Sequence, residues 1–139
     1  MQIDQLIQTI TIAAIPILFA ITLHEAAHGY VARYFGDNTA YLQGRISLNP
    51  LRHIDPVGTV LLPLMTLILG GILFGWAKPV PVNFSALRNP KKDMLWVALA
   101  GPASNMAMAL GWAILFKLSA ASPESYFAEP LMGMAVIGI

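Results

Sequence analysis

Cysteine is absent from the 139 residues, so disulfides, thiolate metal sites and cysteine nucleophiles are excluded together. Charge is scarce as well. Only 11% of the residues are Asp, Glu, Lys or Arg, against about 25% in an ordinary globular domain. Eight basic and seven acidic side chains leave a net charge of +1. Neutralising a phosphate backbone requires a basic field that this balance does not supply, which excludes nucleic acid as a partner. The segment Met1 to Gln8 carries Asp4 and no Lys or Arg, and the apolar run after it leads into His24-Glu25 rather than a small-residue cleavage site. That is not the pattern of a cleaved signal peptide. Internal repeats and low-complexity tracts are also missing.

Apolar side chains are abundant. Hydrophobic residues make up 57% of the chain, and lipid is the expected solvent. From Leu6 to Leu23 the residues are mainly apolar, and a helical pattern continues through Tyr34 to a stop at Gly36-Asp37-Asn38. Residues 37 to 56, rich in Gly, Pro, Asn and Arg, read as loop or short strand. A second apolar run covers Val57 to Trp76, with Pro63 inside it and Gly70-Gly71 near its end. In Ala77-Lys78-Pro79-Val80-Pro81-Val82-Asn83, prolines alternate with valines, which forbids helix and favours extended backbone. A third run, Met94 to Leu118, is crowded with small residues of the kind that let membrane helices approach closely. A fourth begins at Leu131 and stops at Ile139, far short of the roughly 20 residues of a span. The expected fold is an all-α membrane protein: one membrane-embedded domain over 1–139, a transmembrane helical bundle with a re-entrant or hairpin segment and a short extended loop, incomplete at its C-terminus.

The placement of basic residues supplies the hairpin. Arg33, Arg45 and Arg52 follow the first run, Lys78, Arg88, Lys91 and Lys92 precede the third, and segments 1–5 and 119–130 have none. Under the positive-inside rule both central loops are cytoplasmic. Residues 57 to 76 are then expected to enter and leave on one side, which a broken hairpin covered by protein can do; the other reading is a plain second span that breaks the rule.

His24-Glu25-Ala26-Ala27-His28 carries the chemistry. A spacing of four puts two imidazoles on one helix face about one turn apart, within reach of one metal ion, with Glu25 in an adjacent sector. Zinc suits this nitrogen set, and a carboxylate beside it can act as general acid and base. Three ionisable side chains in one turn of an apolar helix are costly in a membrane and point to function. The bland reading is a pair of histidines reaching the headgroups beside a solvated glutamate.

With these residues in view, the chain resembles the site-2 protease family of intramembrane zinc metalloproteases, in its short bacterial and archaeal subgroup. The matching stretches are His24 to Gly29, Gly44-Arg45-Ile46-Ser47-Leu48-Asn49-Pro50, His53-Ile54-Asp55-Pro56-Val57-Gly58-Thr59, Phe74-Gly75-Trp76-Ala77-Lys78-Pro79-Val80-Pro81-Val82-Asn83 and Gly101-Pro102-Ala103-Ser104-Asn105. The resemblance implies a multi-pass protein of a prokaryotic cell membrane that binds Zn2+ and cleaves transmembrane segments of substrate proteins. His24 and His28 are then metal ligands and Glu25 the catalytic acid/base. The family's third ligand, an aspartate in an L-D-G motif on a further helix, has no counterpart among Asp4, Asp37, Asp55 and Asp93. It is expected past Ile139, and a chain without it would bind zinc weakly and be inactive alone.

The family's G-P-x-x-N pattern implies that Asn105 supports substrate or transition state with its amide; an interhelical hydrogen bond is the other reading. His53 and Asp55 are either a supporting pair for the metal site or shapers of a turn. The extended segment 77–83 is either an edge for an unwound substrate or a rigid connector. A function of another class also remains open, a non-catalytic membrane protein that binds helices or is built like a transporter.

Overall fold

A computed structural model describes every residue except Met1, residues 71 to 74, Pro123 and Tyr126. Gly71 in the second apolar run and Phe74 in the fourth matching stretch therefore lie outside the described residues. All regular elements among the described residues are helical. Two are long: α1 spans Ile3–Tyr34, and α4, described below with its neighbours, spans Pro90–Ala121. At about 1.5 Å per residue either exceeds the roughly 30 Å of a hydrocarbon core. Both are long and apolar enough to cross a membrane.

The chain divides into two compact units, Met1–Ala20 with Pro102–Ile139, and Ile21–Gly101. In the first, the short helix α5, Ala128–Gly138, is seated through small residues. Ala128 and Ala135 are buried, a Cβ added at Gly133 would stand 3.2 Å from Ile12, and one at Gly138 would run into the Trp112 ring. Pro16 sits inside α1, where its missing N–H leaves the carbonyl of the preceding turn without its helical partner.

The second unit begins with the C-terminal part of α1 and turns at Gly36, whose φ of 108° suits glycine. Asp37, fully buried, then accepts bonds from Thr39 N at 3.0 Å, Thr39 Oγ1 at 2.5 Å and Asn83 N at 2.7 Å. Residues 37 to 56, expected as loop or short strand, form no strand. They hold α2, Thr39–Leu42, and a 3-10 turn, Pro50–His53, in which Leu51 N donates to the Asn49 side chain. Side chains compete with a strand ladder here: Asp37 takes Thr39 N, Asn49 takes Leu51 N, and Asp55 takes Val57 N just beyond.

The described ends of the 57–76 run are joined to each other. Asp55 caps a wide helical turn, Pro56–Leu61, which continues as α3, Leu62–Ile68, and ends at Gly70 with φ 72°. The far end returns to the start. Trp76 N donates to Gly58 O at 2.8 Å, Thr59 Oγ1 donates to Trp76 O at 2.8 Å, and the Trp76 indole donates to Asp55 Oδ2 at 3.1 Å. Glycine at 58 is required for this closure, because a Cβ there would fall inside the Trp76 ring. Its two described ends thus meet at one place. From there residues 75–83 run without regular structure to a 3-10 turn, Phe84–Ala86, and into α4. Ala32, Leu87 and Val97 form a small core with Val31, Phe35, Val82 and Met94 against it.

Candidate metal centre

α1 delivers His24 and His28 to one face, as the spacing dictates, and their Nε2 atoms stand 3.1 Å apart. Two nitrogens bound to one tetrahedral zinc at about 2.0–2.1 Å would be separated by roughly 3.3 Å, so the rings are already near the separation a shared ion requires. The Nδ1–H of His28 donates to the carbonyl of Val97 on α4 at 2.6 Å. This fixes the tautomer and leaves the Nε2 lone pair available, the usual support of a ligating imidazole.

Gly101 keeps the space over the two rings open. A Cβ built there would stand 2.5 Å from His24 Nε2 and no farther from Nε2 of His28, about a metal–ligand distance. The cradle therefore fits a metal ion by donor type, by separation and by the one side chain it omits. It supplies two of the three protein ligands usual for catalytic zinc, and no group of three or more His, Asp or Glu that could hold a metal occurs among the described residues.

Glu25 turns toward the extended segment. Its Oε2 accepts the backbone N–H of Val80 at 2.9 Å. That segment is held on both sides of Val80: Lys78 N donates to His53 O at 3.1 Å, Arg45 Nη2 donates to Lys78 O at 2.8 Å, and Asn83 N donates to Asp37. Pro79 and Pro81 have no N–H, so residues 78 to 81 offer no uncommitted backbone donor. This favours the connector reading over an edge for strand addition across those four residues.

His53 and Asp55 shape the turn. His53 is fully buried and its Nε2 donates to Ser47 O at 2.9 Å, while Asp55 accepts from Val57 N, Gly58 N and Trp76. The bond from Gly58, then that from the Trp76 indole, hold the Asp55 carboxyl below the usual carboxylate range. At Asp37 burial alone would push the value up, but the bonds from Thr39 and Asn83 outweigh it and bring it below the ordinary range. Both carboxylates are charged at neutral pH and committed to backbone donors. Asn105 belongs to the other compact unit, where it is half-buried on α4.

Three groups of the centre were not foreseen from the sequence: the Val97 carbonyl, the Val80 N–H and the gap at Gly101. Only Gly101 carried a signal, as part of a helix rich in small residues.

The chain is similar to zinc metalloproteases by name. It is 43% identical over 111 residues to "Putative zinc metalloprotease YwhC" of Bacillus subtilis, covering 79% of this chain and 48% of that protein. It is 34% identical over 122 residues to "Putative zinc metalloprotease Rip2" of Mycolicibacterium smegmatis, covering 87% of this chain and 44% of that protein. A Rip2 of Mycobacterium tuberculosis is 33% identical over 93 residues, covering 67% of this chain and 35% of that protein. The chain spans about half the length of the first of these relatives and less of the others. No family profile matches it, and no solved structure does.

Proposed function

We propose that this chain carries the His-Glu-His centre of an intramembrane zinc endopeptidase of the site-2 protease family, acting on transmembrane segments of other proteins. The observation that carries this reading is the convergence of two Nε2 atoms under Gly101 on an apolar helix, with a carboxylate in the same turn. The names of the relatives support zinc and proteolysis. Membrane embedding is supported by two helices whose apolar windows are only 11% and 6% buried within the chain. A core helix of a soluble protein would be mostly covered.

His24 and His28 would hold the ion through Nε2, with a third ligand from outside the described residues. When bound, zinc supplies Lewis acidity and lowers the pKa of water to about 7. Glu25 accepts the proton of the attacking water as the new C–O bond forms at the scissile carbonyl. It then delivers that proton to the leaving amine as the C–N bond breaks. Asn105 is proposed to steady the substrate backbone through its amide.

A transmembrane peptide labelled on both sides of the bilayer and reconstituted with the full-length gene product tests the activity. Cleavage is expected with the wild type and a loss of at least about 100-fold with Glu25→Gln, since a positioned acid/base contributes roughly 10²–10⁴-fold. Equal cleavage by both would refute the assignment.

Topology is tested separately. In cells carrying Ser47→Cys, Ser85→Cys or Ser122→Cys, a membrane-impermeant thiol reagent is expected to label position 122 alone, with both central loops inside. No native cysteine interferes. Labelling at 85 without 122 would show that residues 57–76 cross the bilayer and would contradict the hairpin.

A further inference from the structure

We propose that the backbone N–H of Val80 is a positioning group that holds the Glu25 carboxylate in its working orientation, an inference that rests on the reading of Glu25 as proton carrier. The bond is 2.9 Å long and joins residues 55 apart in the chain. Its donor is singled out by the sequence around it. Prolines at 79 and 81 remove both neighbouring N–H groups and keep the backbone extended, while the N–H of Lys78 is spent on His53 O. Val80 is therefore the only residue from 78 to 81 whose backbone can donate to the carboxylate.

The donor is also fixed in space. Arg45 and His53 anchor Lys78 on one side, and Asp37 anchors Asn83 on the other. The Val80 side chain is buried against α1 at Gly29, where a Cβ would press within 3.2 Å of Val80 Cγ1 and 3.0 Å of Ile46 Cγ1. A carboxylate has two acceptor oxygens. Pinning one to a rigid N–H sets the plane of the group, and the other oxygen keeps its lone pairs for the proton in transit. A glutamate without such a partner would sample several rotamers, and misplacing a reacting group by about 1 Å can cost on the order of 10²-fold in rate.

The test uses the full-length gene product, in three variants at position 80. Val80→Ala keeps the N–H. Val80→Pro deletes it. The α-hydroxy analogue of valine, incorporated as a backbone ester, deletes it without adding bulk, so that a misfolded proline variant does not decide the matter. The ester is expected to lower kcat by about 10- to 100-fold, the usual cost of losing an outer support at a metal site, with KM and zinc content unchanged. Val80→Ala is expected to stay within about threefold of the wild type. Amide exchange supplies a readout that needs no turnover: the Val80 N–H of the wild type is protected, and Glu25→Ala is expected to speed its exchange at least tenfold.

An ester with wild-type kcat, an alanine variant as impaired as the ester, or a Val80 amide that exchanges freely in the wild type would each overturn the proposal. Full activity in Glu25→Gln would instead remove the proton-carrier role, and the positioning role with it. An inactive Glu25→Gln beside a fully active ester removes the positioning role alone.

Discussion

In the full-length gene product, replacing His24 or His28 by alanine is expected to remove bound zinc and peptide hydrolysis together, whereas Glu25→Gln keeps zinc at wild-type stoichiometry and loses only turnover. The asymmetry follows from the geometry. The two Nε2 atoms lie 3.1 Å apart and supply two of the usual three protein ligands, so deleting either leaves too few donors for tight binding. Glu25 is one residue along the helix, with its carboxylate drawn to Val80, so its amide analogue leaves both ligands in place. The loss in Glu25→Gln should lie within the roughly 10²–10⁴-fold of general acid/base catalysis. Elemental analysis of the purified variants decides the point: full zinc occupancy in the His24→Ala/His28→Ala double variant would sink the assignment.

The second large effect is expected from a single methyl group. In Gly101→Ala the new Cβ would stand 2.5 Å from His24 Nε2 and as close to the His28 ring, in the space an ion must use. Zinc should fall to background, and hydrolysis with it. Helix stability moves the other way. Alanine is favoured over glycine in a helix interior by about 1 kcal/mol, so α4 itself should be no less stable. Loss of metal from a variant with undiminished helical signal, and with the thermal midpoint of the metal-free wild type, would therefore report on the cradle rather than on folding. Zinc content equal to wild type in Gly101→Ala would show that the ion, if bound, does not lie beneath this residue.

Much of the architecture was legible before any coordinates. The run from Leu6 to Tyr34 reads as one helix and forms α1; the stop at Gly36-Asp37-Asn38 falls where the chain turns. Charge placement led to the expectation of a re-entrant or hairpin segment at 57–76, and the structure joins Trp76 to Gly58. The segment 37–56 was less legible. Its Gly, Pro and Asn content signals loop, but not which side chain captures which backbone donor.

What the sequence determined by itself is the local part: two imidazoles and a carboxylate in one helical turn, an extended Pro-Val-Pro segment, and apolar helices long enough for a bilayer. These depend on backbone periodicity and on the fixed φ of proline, which act over a few residues. Only the tertiary structure decided that the Val97 carbonyl orients His28 across 69 positions, that Val80 N–H meets Glu25 across 55, and that Gly101 leaves the cradle open. Those pairings exist because the chain folds back between distant elements. The choice of partner there depends on which backbone groups a fold leaves unspent, a long-range quantity with no periodic signature in the sequence.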